Sequence, residues 1–167
     1  ETAYTYDHRE RLIDTRRKVN ADTEFIESRL AYNQIGQLMS RSLHGNLSGS
    51  SFLNTLHFQY NERGWLSKQS SALFTQELRY QNPSAGVIPQ YNGNIAQQFW
   101  GYSSSTPESF TYSYDGLNRL LDGQSLSAGM REELSYDKLG NIQTLKRDGG
   151  TTTSYHYTGN RLTSLSG

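Results

Sequence analysis

Apolar and polar residues alternate with period two in short runs along this chain. Leu56-His57-Phe58-Gln59-Tyr60 and Phe110-Thr111-Tyr112-Ser113-Tyr114 each end at a tyrosine. Such alternation puts the apolar set on one face of a strand. Beside each tyrosine stands Asp or Asn, whose side chain accepts a backbone N–H two residues on. Gly or Asn follows within the turn and tolerates positive φ. The alternation then resumes from a Leu or Ile, as in Ile142-Gln143-Thr144. Strand, Asx turn, strand is a β-hairpin. About twenty residues suffice for two short strands and two connections.

The unit recurs. It reads Tyr6-Asp7 to Leu12, Tyr32-Asn33 to Leu38, Tyr60-Asn61 to Leu66, Tyr114-Asp115 to Leu120 and Tyr136-Asp137 to Ile142. Shortened copies run from Tyr91 to Ile95 and from Tyr157 to Leu162. The anchor tyrosines are therefore Tyr6, Tyr32, Tyr60, Tyr91, Tyr114, Tyr136 and Tyr157, a loose but persistent period. Self-similarity of this kind belongs to stacked arrays whose units contact only their neighbours. The predicted class is all-β, with tandem antiparallel hairpins throughout.

The array reads as one domain over residues 1–167, with N-terminal repeats at 1–80 and C-terminal repeats at 108–167. Residues 81–107 hold all three prolines, Pro83, Pro89 and Pro107, and the pattern breaks there. Proline suits central strands poorly, so this stretch is expected to be a loop-rich crossing with one short hairpin at Tyr91–Ile95. The Gly45–Ser51 segment is expected to form a flexible hairpin tip. The strand-like runs at 2–6 and 161–165 are expected to leave unpaired edges that invite another chain.

Composition supports a sheet that is ordered but wet. Hydrophobic residues make up 34% of the chain and mean hydropathy is −0.77. Twelve tyrosines pack their ring bodies while their hydroxyls reach polar partners. Sixteen basic and sixteen acidic residues cancel, which gives no general pull toward nucleic acid or anionic membrane. No apolar run approaches the roughly eighteen residues of a membrane span. The absence of cysteine removes disulfides, thiolate metal sites and cysteine nucleophiles.

No catalytic, cofactor-binding or metal-ligating residues are assigned. His8, His44, His57 and His156 stand in unrelated contexts, with no metal-ligand pair among them. No nucleophile elbow or phosphate-binding glycine loop occurs. Asp7, Asp115 and Asp137 read as turn acceptors repeated in register. The expectation is a protein that is not an enzyme and needs no cofactor; a hydrolase built on a β-solenoid is the distant alternative.

The Tyr-Asp/Asn…Gly-Asn/Arg-Leu/Ile unit resembles the YD repeat of bacterial Rhs and wall-associated proteins, found also in teneurin ectodomains. The resemblance extends over essentially the whole chain and rests on seven ordered copies. It implies a segment of a spiralling β-sheet shell that encapsulates a C-terminal toxin or presents it at the bacterial surface. Secretion or surface display, flanking repeats and an enclosed toxin are the implied setting and partners. Adhesion or carbohydrate binding by the repeat is the alternative. The family's Asp-Pro-containing cleavage motif has no match here, since no Asp-Pro pair occurs.

Overall fold

The computed structural model describes residues 1–126 and 129–167. Every regular element among the described residues is a β-strand, paired antiparallel to neighbours in sequence. No helix is long and apolar enough to cross a membrane, which leaves strand-built spans unaddressed. The chain forms two compact units, Glu1–Glu77 with Gly101–Ser105, and Leu78–Trp100 with Thr106–Gly167.

The first unit is a meander of β1 (Thr2–Tyr6), β2 (Leu12–Arg17), β3 (Phe25–Tyr32), β4 (Leu38–Gly45), β5 (Phe52–Tyr60) and β6 (Leu66–Ser70). Residues 75–77 of β7 (Thr75–Arg79) pair with β6. Ile26 is fully buried here, beside an ion pair in which Arg29 forks both carboxylate oxygens of Asp14 at 2.8 and 3.0 Å. That bond holds the Asp14 carboxyl below its ordinary value although Asp14 is almost wholly buried. The Arg29 guanidinium also lies over the Phe52 ring.

The second unit runs through residues 97–100 of β8 (Gln97–Gly101), then β9 (Glu108–Tyr114), β10 (Leu120–Ser125), β11 (Arg131–Tyr136), β12 (Ile142–Arg147), β13 (Thr153–Thr158) and β14 (Arg161–Ser166). Its buried side chains include Tyr80, Ala96, Gln97 and Ser109. Gln97 accepts the Ser84 N–H, which answers a buried polar group with a backbone partner. Phe99 and Trp100, which the sequence places in an irregular stretch, lie in β8 and pair with β9.

The short hairpin expected at Tyr91–Ile95 does not form. No strand occupies these residues; Asn92 instead closes a local turn by accepting the Asn94 N–H. Backbone bonds on either side explain the difference. Gln90 N–H donates to the Tyr80 carbonyl and Ala96 N–H to that of Arg79, so the flanks tie back to the end of β7. The Gly45–Ser51 tip joins β4 to β5 with a dense set of bonds around the Asn46 side chain, which accepts from the Ser48 hydroxyl and the Ser50 N–H.

Five hairpins share one turn. Asp7, Asn33, Asn61, Asp115 and Asp137 each accept, on a single side-chain oxygen, the N–H groups two and four residues on, at 2.8–3.1 Å. The residue three places on always has positive φ: Glu10, Gly36, Gly64, Asn118 and Gly140. The Asn46 turn repeats this with Gly49. In four of these turns the side chain four places on also locks the acceptor from the side. Arg11 and Arg119 form ion pairs of 2.6 Å with Asp7 and Asp115, while Gln37 and Asn141 bond the side chains of Asn33 and Asp137.

These bonds favour the charged carboxylate. The Arg11 side chain lowers Asp7 from 3.8 to about 2. Asp115 is lowered chiefly by the Arg119 N–H, and Asp137 chiefly by the Asn141 side chain. Folded values below the unfolded ones mean stability that is complete above about pH 4 and drains away as pH falls toward 2. The melting temperature should therefore be flat near neutrality and drop steeply between pH 4 and 2. Replacing Asp7, Asp115 and Asp137 by Asn keeps the acceptor that Asn33 and Asn61 already provide. Melts of this triple variant should show a much shallower acid drop; an unchanged profile would refute the carboxylate account.

Gly140 isolates the backbone requirement, because a Cβ there meets no atom within 4 Å. Gly140→Ala should cost about 1–2 kcal/mol from its φ of 92° alone, measurable by urea unfolding.

Candidate functional site

The feature that recurs with most constancy is the junction between one hairpin and the next. Within six hairpins the tyrosine faces the Leu or Ile that opens the returning strand: Tyr6↔Leu12, Tyr32↔Leu38, Tyr60↔Leu66, Tyr114↔Leu120, Tyr136↔Ile142 and Tyr157↔Leu162. The preceding residue skips one position, so a β-bulge sits at every hairpin mouth. A bulge disrupts the ladder locally and increases twist.

Between hairpins, the ladder begins only two residues past that Leu or Ile. Asp14↔Arg29, Ser40↔His57, Asp122↔Glu133 and Thr144↔Ser154 are the first pairs of four such junctions. In each, the second strand is entered three residues before its tyrosine. The carbonyl of the Leu or Ile therefore lies beyond the ladder, and the next tyrosine supplies its donor. Tyr32 hydroxyl donates to Leu12 carbonyl at 3.1 Å, Tyr60 to Leu38 at 3.0 Å, Tyr136 to Leu120 at 2.8 Å and Tyr157 to Ile142 at 3.0 Å. Tyr114 makes the same bond to Ile95 at 2.8 Å, although no hairpin surrounds Ile95. The irregular segment thus keeps the acceptor of a repeat while losing its strands.

Arginine adds a second link at two junctions. The Arg11 guanidinium sits 4.6 Å from the Tyr32 ring centre, and that of Arg119 4.7 Å from Tyr136. Each is already held by its turn aspartate, so one side chain fastens the turn and clamps the next repeat. Arg119 also donates to the Asp137 carbonyl at 2.9 Å. This role escaped the sequence reading, although two Asp-x-x-x-Arg spacings beside anchor tyrosines announce it.

The seven anchors do not share one environment. Tyr32, Tyr60, Tyr114, Tyr136 and Tyr157 are half-buried and bonded as above. Burial pushes the Tyr114 hydroxyl up. Tyr6 is 59% exposed and Tyr91 62% exposed. The histidines remain apart: His44 lies against Phe25, and His156 bonds the Ser166 hydroxyl. No group of three potential ligands that could hold a metal occurs among the described residues.

A separate feature lies on the second unit. Trp100, Phe110 and Tyr112 form a ladder of near-parallel rings with centres 5.2 and 6.1 Å apart. Phe110 and Tyr112, with Leu120, Met130, Arg131 and Arg147, line an open cavity of about 350 Å³.

No protein-family model and no curated protein sequence matches the chain. Among solved structures it is similar to a chain of the TcdB2–TccC3–Cdc42 crystal structure, with 14% identity and a TM-score of 0.41, covering 98% of this chain and 12% of that one. The TcdB2–TccC3 crystal structure gives 14% identity, a TM-score of 0.36 and coverages of 93% and 12%. The Tc holotoxin pore of Photorhabdus luminescens, with a TccC3 variant, gives 14%, 0.35, 93% and 11%. The chain thus spans about an eighth of the length of each of these relatives.

Proposed function

We propose that this chain is a non-catalytic wall segment of an Rhs-type repeat shell, which encloses or presents a C-terminal toxin or effector at the bacterial surface or in secreted form. The observation that carries the reading is the identity of the junctions. Turn, bulge, inter-hairpin register and tyrosine bond are the same at successive repeats, which is what extending a wall requires and what a single reactive centre does not. Flanking repeats and an enclosed effector are the partners of this reading. Toxin complexes of the kind named above are the setting it envisages.

The Trp100–Phe110–Tyr112 ladder above its cavity favours a second reading, a surface module that seats sugar rings on aromatic faces. The two make different demands on different tyrosines.

Tyr136 decides the first. Tyr136→Ala removes a half-buried ring, its bond to Leu120 and the Arg119 clamp, and should cost about 2–4 kcal/mol. Tyr136→Phe keeps the ring and should cost about 1 kcal/mol. Thermal melts that place Tyr136→Ala with the wild type would end the structural reading of the anchors. Tyr112 decides the second: glycan-array binding that disappears in Tyr112→Ala while the melt is preserved would establish the sugar platform in its stead.

A further inference from the structure

The segment between β7 and β8 carries the chain's single Asn-Gly pair, Asn92-Gly93. We infer that Asn92 is a site of intramolecular deamidation, a slow and irreversible modification that the fold exposes at one place and accommodates without loss of the sheet. The inference stands on the geometry of this turn and is independent of the shell reading.

The chemistry needs only the chain and water. The Gly93 backbone nitrogen attacks Asn92 Cγ, forming an N–C bond as the Cγ–Nδ2 bond breaks. Nδ2 leaves as ammonia and takes up the proton that Gly93 loses. The resulting succinimide adds one water at either carbonyl. One opening gives aspartate, and the other gives isoaspartate, with one more carbon in the main chain.

Three features favour the reaction here. First, the nucleophile is free. Asn92 is exposed and outside any strand, and the Gly93 N–H donates to no described residue. An amide in a ladder would have to give up its bond before attacking. Second, the electrophile is held in place. Asn92 Oδ1 accepts the Asn94 N–H at 3.0 Å, which folds the side chain back along the backbone that follows it and draws electron density from Cγ. Gly93 has a φ of 101°, and it brings no Cβ to crowd the attacking nitrogen. Third, the product fits. The N–H groups of Gln90 and Ala96 are tied to the Tyr80 and Arg79 carbonyls, so an added carbon between them shifts no strand. Asn92 Nδ2 donates to Asn118 Oδ1; by turning its amide, Asn118 offers its own N–H groups to the new carboxylate.

Related sites are guarded. Asp115-Gly116 and Asp122-Gly123 reach the same imide only through the neutral acid. Arg119 holds the first as a carboxylate with a bond of 2.6 Å, and Arg131 the second with bonds of 2.9 and 3.2 Å. Asn33 and Asn61 precede Gln34 and Glu62, whose Cβ atoms crowd the approach.

The full 167-residue chain, kept in mildly alkaline buffer at physiological temperature, should release ammonia and gain isoaspartate in step. Trypsin leaves residues 80–119 as one peptide, because no lysine or arginine lies between Arg79 and Arg119, and fragmentation of that peptide locates the change. Asn92 should convert first, with every other asparagine at least roughly tenfold slower. Asn92→Gln should abolish this conversion while circular dichroism stays that of the wild type. The same chain unfolded in urea supplies a reference, and the folded rate at Asn92 should lie within about tenfold of it. The fully converted chain should melt as the unconverted one does. Greater protection by folding, faster conversion at another asparagine, or a melting temperature that falls with conversion overturns the inference. None of these outcomes bears on the Tyr136 melts.

Discussion

One carbonyl, repeated at the mouths of four hairpins, governs this structure. Inside a hairpin the Leu or Ile that opens the returning strand faces its own tyrosine, but the ladder to the next hairpin begins only two residues later, so its C=O lies outside that second ladder. A backbone acceptor left unpaired where water is excluded costs on the order of 1–3 kcal/mol. The next tyrosine removes that cost by reaching across with its hydroxyl. Phenylalanine could pack there but not bond, and serine could bond but not span the distance. Tyrosine is selected because one side chain must do both.

The rest follows from keeping that hydroxyl in place. The Asx turn fixes the geometry of the hairpin mouth, and in four turns the side chain four places past the acceptor immobilises it. Where that residue is arginine, the same guanidinium lies on the following tyrosine ring. Little conventional core is needed in return. Ile26, Tyr80 and Ala96 are the buried hydrophobic residues among those described, and Asp14, Thr75 and Gln97 are buried beside them with polar partners. Cohesion is distributed along the array as polar bonds and half-buried rings.

Much of this was legible in the sequence, for a physical reason. Period-two alternation, Asx acceptors and residues that tolerate positive φ are local signals, so hairpins such as Tyr136–Ile142 declare themselves within ten residues. The junction bond was not legible, since it joins Tyr136 to the carbonyl of Leu120, and backbone carbonyls leave no mark in a sequence. The same blindness explains Tyr91–Ile95. Its residues satisfy the hairpin pattern, but bonds from Gln90 and Ala96 to Tyr80 and Arg79 claim its flanks first. Glu10 is the mirror case, a residue with no turn preference that takes the left-handed conformation because the Asp7 turn around it demands one.

The constancy of the inter-hairpin register has an evolutionary corollary. Because every junction counts from the same two landmarks, a whole hairpin can be gained or lost without disturbing any other pairing, whereas a single-residue insertion inside a strand turns all its side chains to the wrong face. Length variation in such an array is therefore quantised, arriving in steps of one complete unit. The segment between β7 and β8 marks the exception: between Gln90 and Ala96, whose N–H groups are tied to Tyr80 and Arg79, the chain can change length without shifting a strand, provided one carbonyl still arrives beneath the hydroxyl of Tyr114.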